Sequence, residues 1–412
     1  ANATRLFGTA HSYYSTEGSS QCIRAMLFLA LQSAPQNGKR PVLLAARNAH
    51  KALLYAAALL DFDIRWLWPS AQAEGALCSC PVTAEALTGA LHAMAQQGNT
   101  PFGVYVTSPD YLGGVQDIPA LAAVCRAQGV PLLVDNAHGA YLRFLPQNCH
   151  PIAQGAAMCC DSAHKTLPVV TGGAYLHLAH DAPVQDEAAV RGALALFGST
   201  SPSYLILQSL DACNAVLAGD YPRRLVQCCA ALEGLRRSLN KAAAARQCPV
   251  PLAVAGAQQE PMKLTLDAAA LGCTGTALAE ALRRTQLECE YADPRYVVLM
   301  FTPENPPQDY TRLQATLEQL LAAVPVGLPR PENRAGEFAA LQQQAVQRCT
   351  IRQAVLGAQV RIPVHKALGR VCAMPTVSCP PAIPVVVSGE EITPAAIALM
   401  QRYGIEELSV LR

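Results

Sequence analysis

From residue 21 to residue 178 short apolar runs and helical patterns take turns, and this alternation constrains the fold more than any other feature of the chain. "QCIRAMLFLALQSA" reads as a helix, "PVLLAA" as a strand and "HKALLYAAALLDF" as a helix. "DIRWLW", "TAEALTGALHAMAQQ" and "FGVYVTS" repeat the cycle, and "DIPALAAVCRAQG" with "VPLLVD" repeats it again. Strands separated by helices of this length predict a mainly parallel sheet covered on both faces, an α/β fold. "GGAYLHL" follows its predecessor too closely for a crossover helix, so an antiparallel addition is expected there.

In a parallel sheet all carboxyl ends share one edge, where ligands bind. The residues behind each expected strand are therefore informative. "PVLLAA" is followed by Arg47, Asn48, Ala49 and His50, and "FGVYV" by Thr107, Ser108 and Pro109. "VPLLV" is followed by Asp135, Asn136, Ala137 and His138, and "AMCC" by Asp161, Ser162, Ala163, His164 and Lys165. Four consecutive strand ends deliver polar or ionisable groups to one rim. Lys165, at the turn behind its strand, is either a surface lysine or an amine held beside something it reacts with.

Beyond residue 200 the pattern turns helical, in "PSYLILQSLDACNAVLAG" and "PRRLVQCCAALEGLRRSLNKAAAA". From about Pro251 a smaller α/β unit is expected: "MKLTLD", the helix "TALAEALRRTQ", a strand pair in "ECEYADPRYVVLMFT" and the helix "YTRLQATLEQLLAAV". "VPVGLPRPENRAG" reads as a linker, followed by a short C-terminal unit ending "EELSVLR".

With 51% hydrophobic residues, 15% charged and a net charge of +1 over 412 residues, the chain is expected to be globular and oligomeric. No basic face points to nucleic acid. The sixteen cysteines contain no CxxC pair, and Cys159–Cys160 and Cys228–Cys229 lie in apolar runs. Reduced, buried thiols are expected rather than a metal site. The N-terminus lacks a signal-peptide layout, and no apolar run is long enough to span a bilayer. A cytoplasmic protein without membrane contact is the expectation.

The rim has the composition of a pyridoxal phosphate pocket, which needs an amine, a carboxylate for the ring nitrogen, anion donors and a flat group against the ring. Lys165 supplies the amine, Asp135 the carboxylate, His50 a stacking ring. Gly18, Ser19 and Ser20, opening a helix, offer N–H groups and hydroxyls to a phosphate. Each has a plainer account: a turn lysine, a turn aspartate, a helix-opening histidine and an ordinary N-cap, with His138 and His164 as satisfied histidines. Their combination on one edge favours the site.

The stretches "EGSSQCIRAML", "RNAHKALL", "VYVTSPDYLGGVQDI", "LLVDNAHGAY", "DSAHKTLPVVTGGAYLH" and "STSPSYLILQSLD", with weaker matches from "KLTLD" to "CPPAIPVVVSGEE", resemble the bacterial ornithine/lysine/arginine decarboxylases. The resemblance implies a fold-type I, aminotransferase-like fold with a mainly parallel seven-stranded sheet. It implies pyridoxal 5'-phosphate, with Lys165 as Schiff-base lysine, Asp135 as pyridinium partner, His50 stacked on the ring and Ala137 against its other face. Ser19, Ser20, Ser162 and His164 become phosphate or near-phosphate ligands, and Lys165 or a neighbouring histidine the proton donor. Thr200 or Ser201 is expected to reach the phosphate of a neighbouring subunit, so that a homodimer or larger homo-oligomer shares its active sites. The implied reaction is decarboxylation of a basic amino acid to an amine. The expected division is a cofactor-binding domain over 1–215, a small α/β domain over 216–326 and a C-terminal domain over 327–412.

The chain departs from the family pattern in several places. The given sequence opens almost at the phosphate motif, and the resemblance leads to the expectation of a further N-terminal segment ahead of it. Ala52 replaces a hydroxyl residue, Asn136 an acidic one, and "SCPPAIP" with Met374 stands where relatives carry "PYPPG" and an acid. A dibasic substrate then needs another carboxylate, and Glu288, Glu290 and Asp293 cluster in sequence. The same residues leave two further readings open, another reaction at Cα or a non-catalytic binding partner.

Overall fold

The computed structural model describes residues 2–34, 38–69, 78–253, 259–325, 336–375 and 384–412. A central sheet holds β1 (His11–Ser15), β2 (Val42–Ala46), β3 (Asp63–Leu67), β4 (Val104–Thr107), β5 (Leu132–Asp135), β6 (Met158–Asp161) and β7 (Ala174–Leu178), in the order β1-β7-β6-β5-β4-β2-β3. β3, β2, β4, β5 and β6 pair in parallel. β7 runs antiparallel to β6 and to β1, as the short interval before "GGAYLHL" requires.

The helices of this part are α1 (Asn2–Phe7), α2 (Gly18–Gln32), α3 (Lys51–Leu60), α4 (Ala84–Gln96), α5 (Ile118–Ala127), α6 (Ala163–Thr166) and α7 (Glu187–Leu196). Strand side chains alternate between faces. Leu43, Ala45, Tyr105, Leu133, Met158 and Cys160 pack with residues of α2, α3 and α7. Leu44, Val104, Val106, Leu132 and Val134 pack with residues of α4 and α5. With both faces covered, β4, β5 and β6 are buried throughout and read as unbroken apolar runs.

The sequence pattern does not single out α1, β1 or α7, and it leaves Lys165 in a turn where the structure has the single turn of α6. A helix this short has little stability of its own. It is held because Leu167 N closes the turn on the Ala163 carbonyl and His164 N bonds to the Gly173 carbonyl ahead of β7.

Two long helices follow, α8 (Tyr204–Ala218) and α9 (Tyr221–Ala245), then a second, antiparallel sheet. It comprises β8 (Lys263–Asp267), β9 (Tyr291–Ala292) and β10 (Tyr296–Met300), with α10 (Gly275–Arg284) and α11 (Pro307–Ala323). The loop behind β4 is tied to this unit: Lys263 Nζ donates to the Asp110 carbonyl at 2.9 Å, Thr265 Oγ1 to that of Leu112 at 2.6 Å and Glu260 N to that of Gly113 at 2.8 Å. The C-terminal part has α12 (Gly336–Gln344), α13 (Ile351–Leu356), α14 (Pro394–Arg402) and the antiparallel pair β11 (Gln359–Pro363) and β12 (Glu407–Leu411). "VPVGLPRPENRAG" and "SCPPAIP" fall almost wholly outside the described residues.

No described helix is long and apolar enough to cross a membrane. The described cysteines are free thiols, and burial pushes Cys22 and Cys80 up to about 12, as befits small core residues.

Candidate active site

The structure brings most of the expected residues to the carboxyl edge of the central sheet. Asp135 ends β5, buried. Its Oδ2 accepts a hydrogen bond from Tyr105 Oη at 3.0 Å; its Oδ1 accepts one from Ala137 N at 3.2 Å and lies 3.6 Å from Cys160 Sγ. Lys165, half-buried on α6, sets its Nζ 3.1 Å from His138 Nε2. Burial, reinforced by the Lys165 charge, holds the His138 imidazole well below the usual histidine range, so it faces the lysine as a neutral acceptor.

Ser162 and Ser19 join the two helix starts that border this edge. Ser162 Oγ donates to Ser19 Oγ at 2.8 Å, bringing the amino end of α6 to that of α2. Gly18 opens α2 with φ of +71°, a value that favours glycine, and Ser20 follows half-buried in the first turn. His164 is turned toward the Gly173 carbonyl, 3.0 Å from its Nδ1, so that nitrogen carries the proton. Burial lowers its pKa despite that bond.

His50 caps α3: Ala52 N donates to its Nδ1 at 3.2 Å. The helix-opening role is therefore real, and it fixes the tautomer, leaving Nε2 as the protonated nitrogen. Burial lowers His50 as well. Both a capping and a ring-facing role are compatible with one side chain.

Thr200 and Ser201 stand apart. They lie exposed between α7 and α8, where Ser201 N donates to Ser199 Oγ at 3.1 Å.

Four further residues matter here: Asn48 and Asn136, which the sequence places on the rim without a role, and Tyr105 and Tyr111, which it does not mark. Tyr105 sits under Asp135. Tyr111 packs edge-on against His138, with ring centres 4.8 Å apart, and donates to Glu290 Oε1 at 2.7 Å. Asn48, buried behind β2, has neither its amide nitrogen nor its oxygen bonded within the protein. Asn136 donates to Asp161 Oδ1 at 2.6 Å. A polar tyrosine inside an otherwise apolar strand is the available signal for Tyr105; Tyr111 depends on a partner 179 residues away.

Asp161 heads a buried cluster on the opposite face of the sheet from Asp135. His150 Nε2 and His177 Nε2 lie 3.1 and 3.2 Å from its Oδ2, and Ser12 Oγ lies 2.7 Å from His177 Nδ1. Burial alone would raise Asp161, yet the two imidazoles hold it well below the usual carboxylate range. With Nε2–H on both rings, Asp161 accepts from His150, His177 and Asn136, and Ser12 donates to the free nitrogen of His177, while His150 Nδ1 is buried without a protein partner.

The sequence-clustered acids separate in space. Glu288 pairs with Arg283 at the surface. Asp293 accepts bonds from Tyr291 Oη, Arg295 N and Tyr296 N, which makes it a structural residue of the β9–β10 turn. Glu290 alone is directed toward Tyr111 and, through it, His138 and Lys165. Ala52 is buried in the first turn of α3 and Met374 half-buried.

These residues fit pyridoxal phosphate. The partners of Asp135 among the described residues are neutral donors, so a cationic ring nitrogen is the charge complement it lacks. Asn48 and the His138 Nδ1 are buried polar groups without a protein partner at the same edge, which a polar ligand would satisfy. Paired serines at two helix starts suit a phosphate.

A profile described as Orn/Lys/Arg decarboxylase, major domain, matches residues 1–308, and one described as Orn/Lys/Arg decarboxylase, C-terminal domain, matches residues 333–403. An arginine decarboxylase of Bacillus subtilis is 27% identical over 404 residues, 95% of this chain and 77% of that protein. The uncharacterized protein YaaO of the same organism is 26% identical over 409 residues, covering 97% and 80%. Among solved structures, the constitutive lysine decarboxylase of Escherichia coli aligns over 100% of this chain and 72% of its own, with a TM-score of 0.75 at 18% identity.

Proposed function

Because the chain belongs to the Orn/Lys/Arg decarboxylase family, and is a fold-type I decarboxylase by that membership, we propose that it binds pyridoxal phosphate through Lys165 and removes the carboxylate of a basic amino acid. The observation that carries this reading is the meeting of Lys165 Nζ and His138 Nε2, at 3.1 Å, on the same sheet edge as the buried Asp135.

Lys165 would hold the cofactor's aldehyde through its amine. The cofactor, when bound, supplies that aldehyde and a ring able to accept the electron pair left as carbon dioxide departs. Asp135 would hold the ring nitrogen and favour its protonated form. His50 and Ala137 would hold the ring between them. Gly18, Ser19, Ser20, Ser162 and His164 form the phosphate side. Lys165 would also carry the proton destined for Cα, and His138 orients its amine by accepting its hydrogen bond.

Glu290 is the carboxylate assigned to the distal cation of the substrate. It is exposed, yet Tyr111 directs one of its oxygens toward the site. A basic substrate thus meets an anionic group without the acid that relatives carry at the Met374 position. Thr200 and Ser201 complete the phosphate side of a second copy, in a cytoplasmic homo-oligomer.

The test is the visible spectrum of the protein given pyridoxal phosphate, with borohydride, followed by carbon dioxide release from arginine, lysine and ornithine. The wild type is expected to show a band that borohydride abolishes and that Lys165→Ala lacks. Glu290→Gln is expected to retain the band and to raise KM for the accepted basic amino acid about tenfold or more, the size of one charged contact. A wild type without a band, or a band without carbon dioxide from any basic amino acid, would refute the assignment.

A further inference from the structure

Asp135 is held from below by a side chain on the adjacent parallel strand. β4 and β5 pair with Tyr105 opposite Leu133 and Thr107 opposite Asp135. Tyr105 and Asp135 are therefore two registers apart on the same face, and the length of a tyrosine spans the gap. Its hydroxyl reaches Asp135 Oδ2 at 3.0 Å. Both groups are buried, and the Tyr105 ring is enclosed by the core packed on that face, so it has no freedom to leave. Burial and the facing carboxylate push the phenol well above its ordinary range, so it is always a donor and never an anion.

We propose that Tyr105 is a positioning residue for Asp135: its hydroxyl fixes the rotamer of the carboxylate and shares its charge, so that the proton between Asp135 and the cofactor's ring nitrogen stays on the ring. This rests on the reading that pyridoxal phosphate binds at this edge. The physical reason is competition for one anion. A carboxylate that already accepts hydrogen bonds from Tyr105 and Ala137, with the Cys160 thiol beside them, holds a further proton weakly. A carboxylate stripped of one donor holds it more strongly, and the ring nitrogen loses part of its charge. Positive charge on the ring suppresses protonation elsewhere in the bound cofactor, which makes the pH dependence of its visible band a direct readout of Tyr105.

Tyr105→Phe keeps the ring in the core and removes only the hydroxyl. The bound cofactor's visible pH transition is expected to move to higher pH, by up to about one pH unit, the worth of a hydrogen bond to a charged group. In an Asp135→Asn background the same replacement is expected to leave the transition where Asp135→Asn alone puts it, because Tyr105 acts through the carboxylate. A second variant leaves packing intact: 3-fluorotyrosine at position 105 is a stronger donor and should move the transition to lower pH. If the Tyr105→Phe protein does not fold, the fluorinated protein alone decides. A wild-type band whose pH transition is unmoved by either replacement would overturn the role of Tyr105 while leaving the cofactor assignment intact. No band in the wild type would overturn both.

Discussion

Asp110 shows how one buried side chain can set the pH dependence of a junction. It lies in the loop behind β4, where its Oδ1 accepts from Gly114 N at 2.8 Å and its carbonyl from Lys263 Nζ. Burial raises its carboxyl to about 6, against hydrogen bonds from Ser79 and Gly114 and the charge of Lys263, which pull it down. A folded-state value above the unfolded one means the folded protein binds the extra proton. That contribution to stability is complete below about pH 4 and is lost as pH rises through about 6. Asp110→Asn keeps the acceptor for Gly114 and removes the ionisation. It is expected to raise the unfolding midpoint at pH 7.5, by the equivalent of up to about 3 kcal/mol, and to leave it unchanged near pH 4. Denaturation followed at both pH values checks this, and a variant equally shifted at both would show that ionisation is not the cause.

Arg47 and Glu390 link elements rather than residues. Arg47 stands directly behind β2, fully buried, with its guanidinium 4.8 and 4.5 Å from the ring centres of Trp66 and Trp68. It donates to both oxygens of Glu390 at 2.7 and 2.8 Å, and Glu390 also accepts from Val387 N. The latch fastens a C-terminal loop to the strand end that carries Asn48 and His50. Glu390→Gln leaves the arginine charge buried without its counter-ion, at a cost of about 3–5 kcal/mol. Limited proteolysis is expected to release the C-terminal part first in that variant; an unchanged cleavage pattern and midpoint would contradict the latch. Sequence reading reached every strand of the sheet but the polar edge strand β1, and the rim residues behind them, because burial on both faces writes a strand as an apolar run and its end as a change to polar residues. It did not reach Arg47–Glu390, Tyr105–Asp135 or Tyr111–Glu290, whose partners are 343, 30 and 179 residues apart. Nor did it reach α1, whose six residues acquire stability from Phe7 packing on Tyr175 and His177.

At the scale of the whole molecule the question is what covers the surface around Thr200 and Ser201. Tyr204 and Leu205 are 83% and 73% exposed at the start of α8, with Leu196 and Val170 exposed nearby in the chain segments that border it. Val170 N donates to Ser209 Oγ, which fixes that loop to α8. Large apolar side chains rimmed by hydroxyls suit an interface between copies. If Thr200 and Ser201 serve a neighbour's phosphate, each active site draws on two chains, and this can be tested without knowing the geometry of the dimer. Lys165→Ala lacks the amine in its own site but can lend Thr200 and Ser201 to a partner. The double variant Thr200→Ala, Ser201→Ala has the reverse defect. Each alone is expected to be inactive or nearly so. Mixed one to one, unfolded and refolded together, half of the dimers are hybrids with one complete site of two, giving about a quarter of wild-type carbon dioxide release. Activity that stays at the sum of the two parents would mean that each chain builds its site from its own residues, and Leu205→Glu would then dissociate the dimer without affecting turnover.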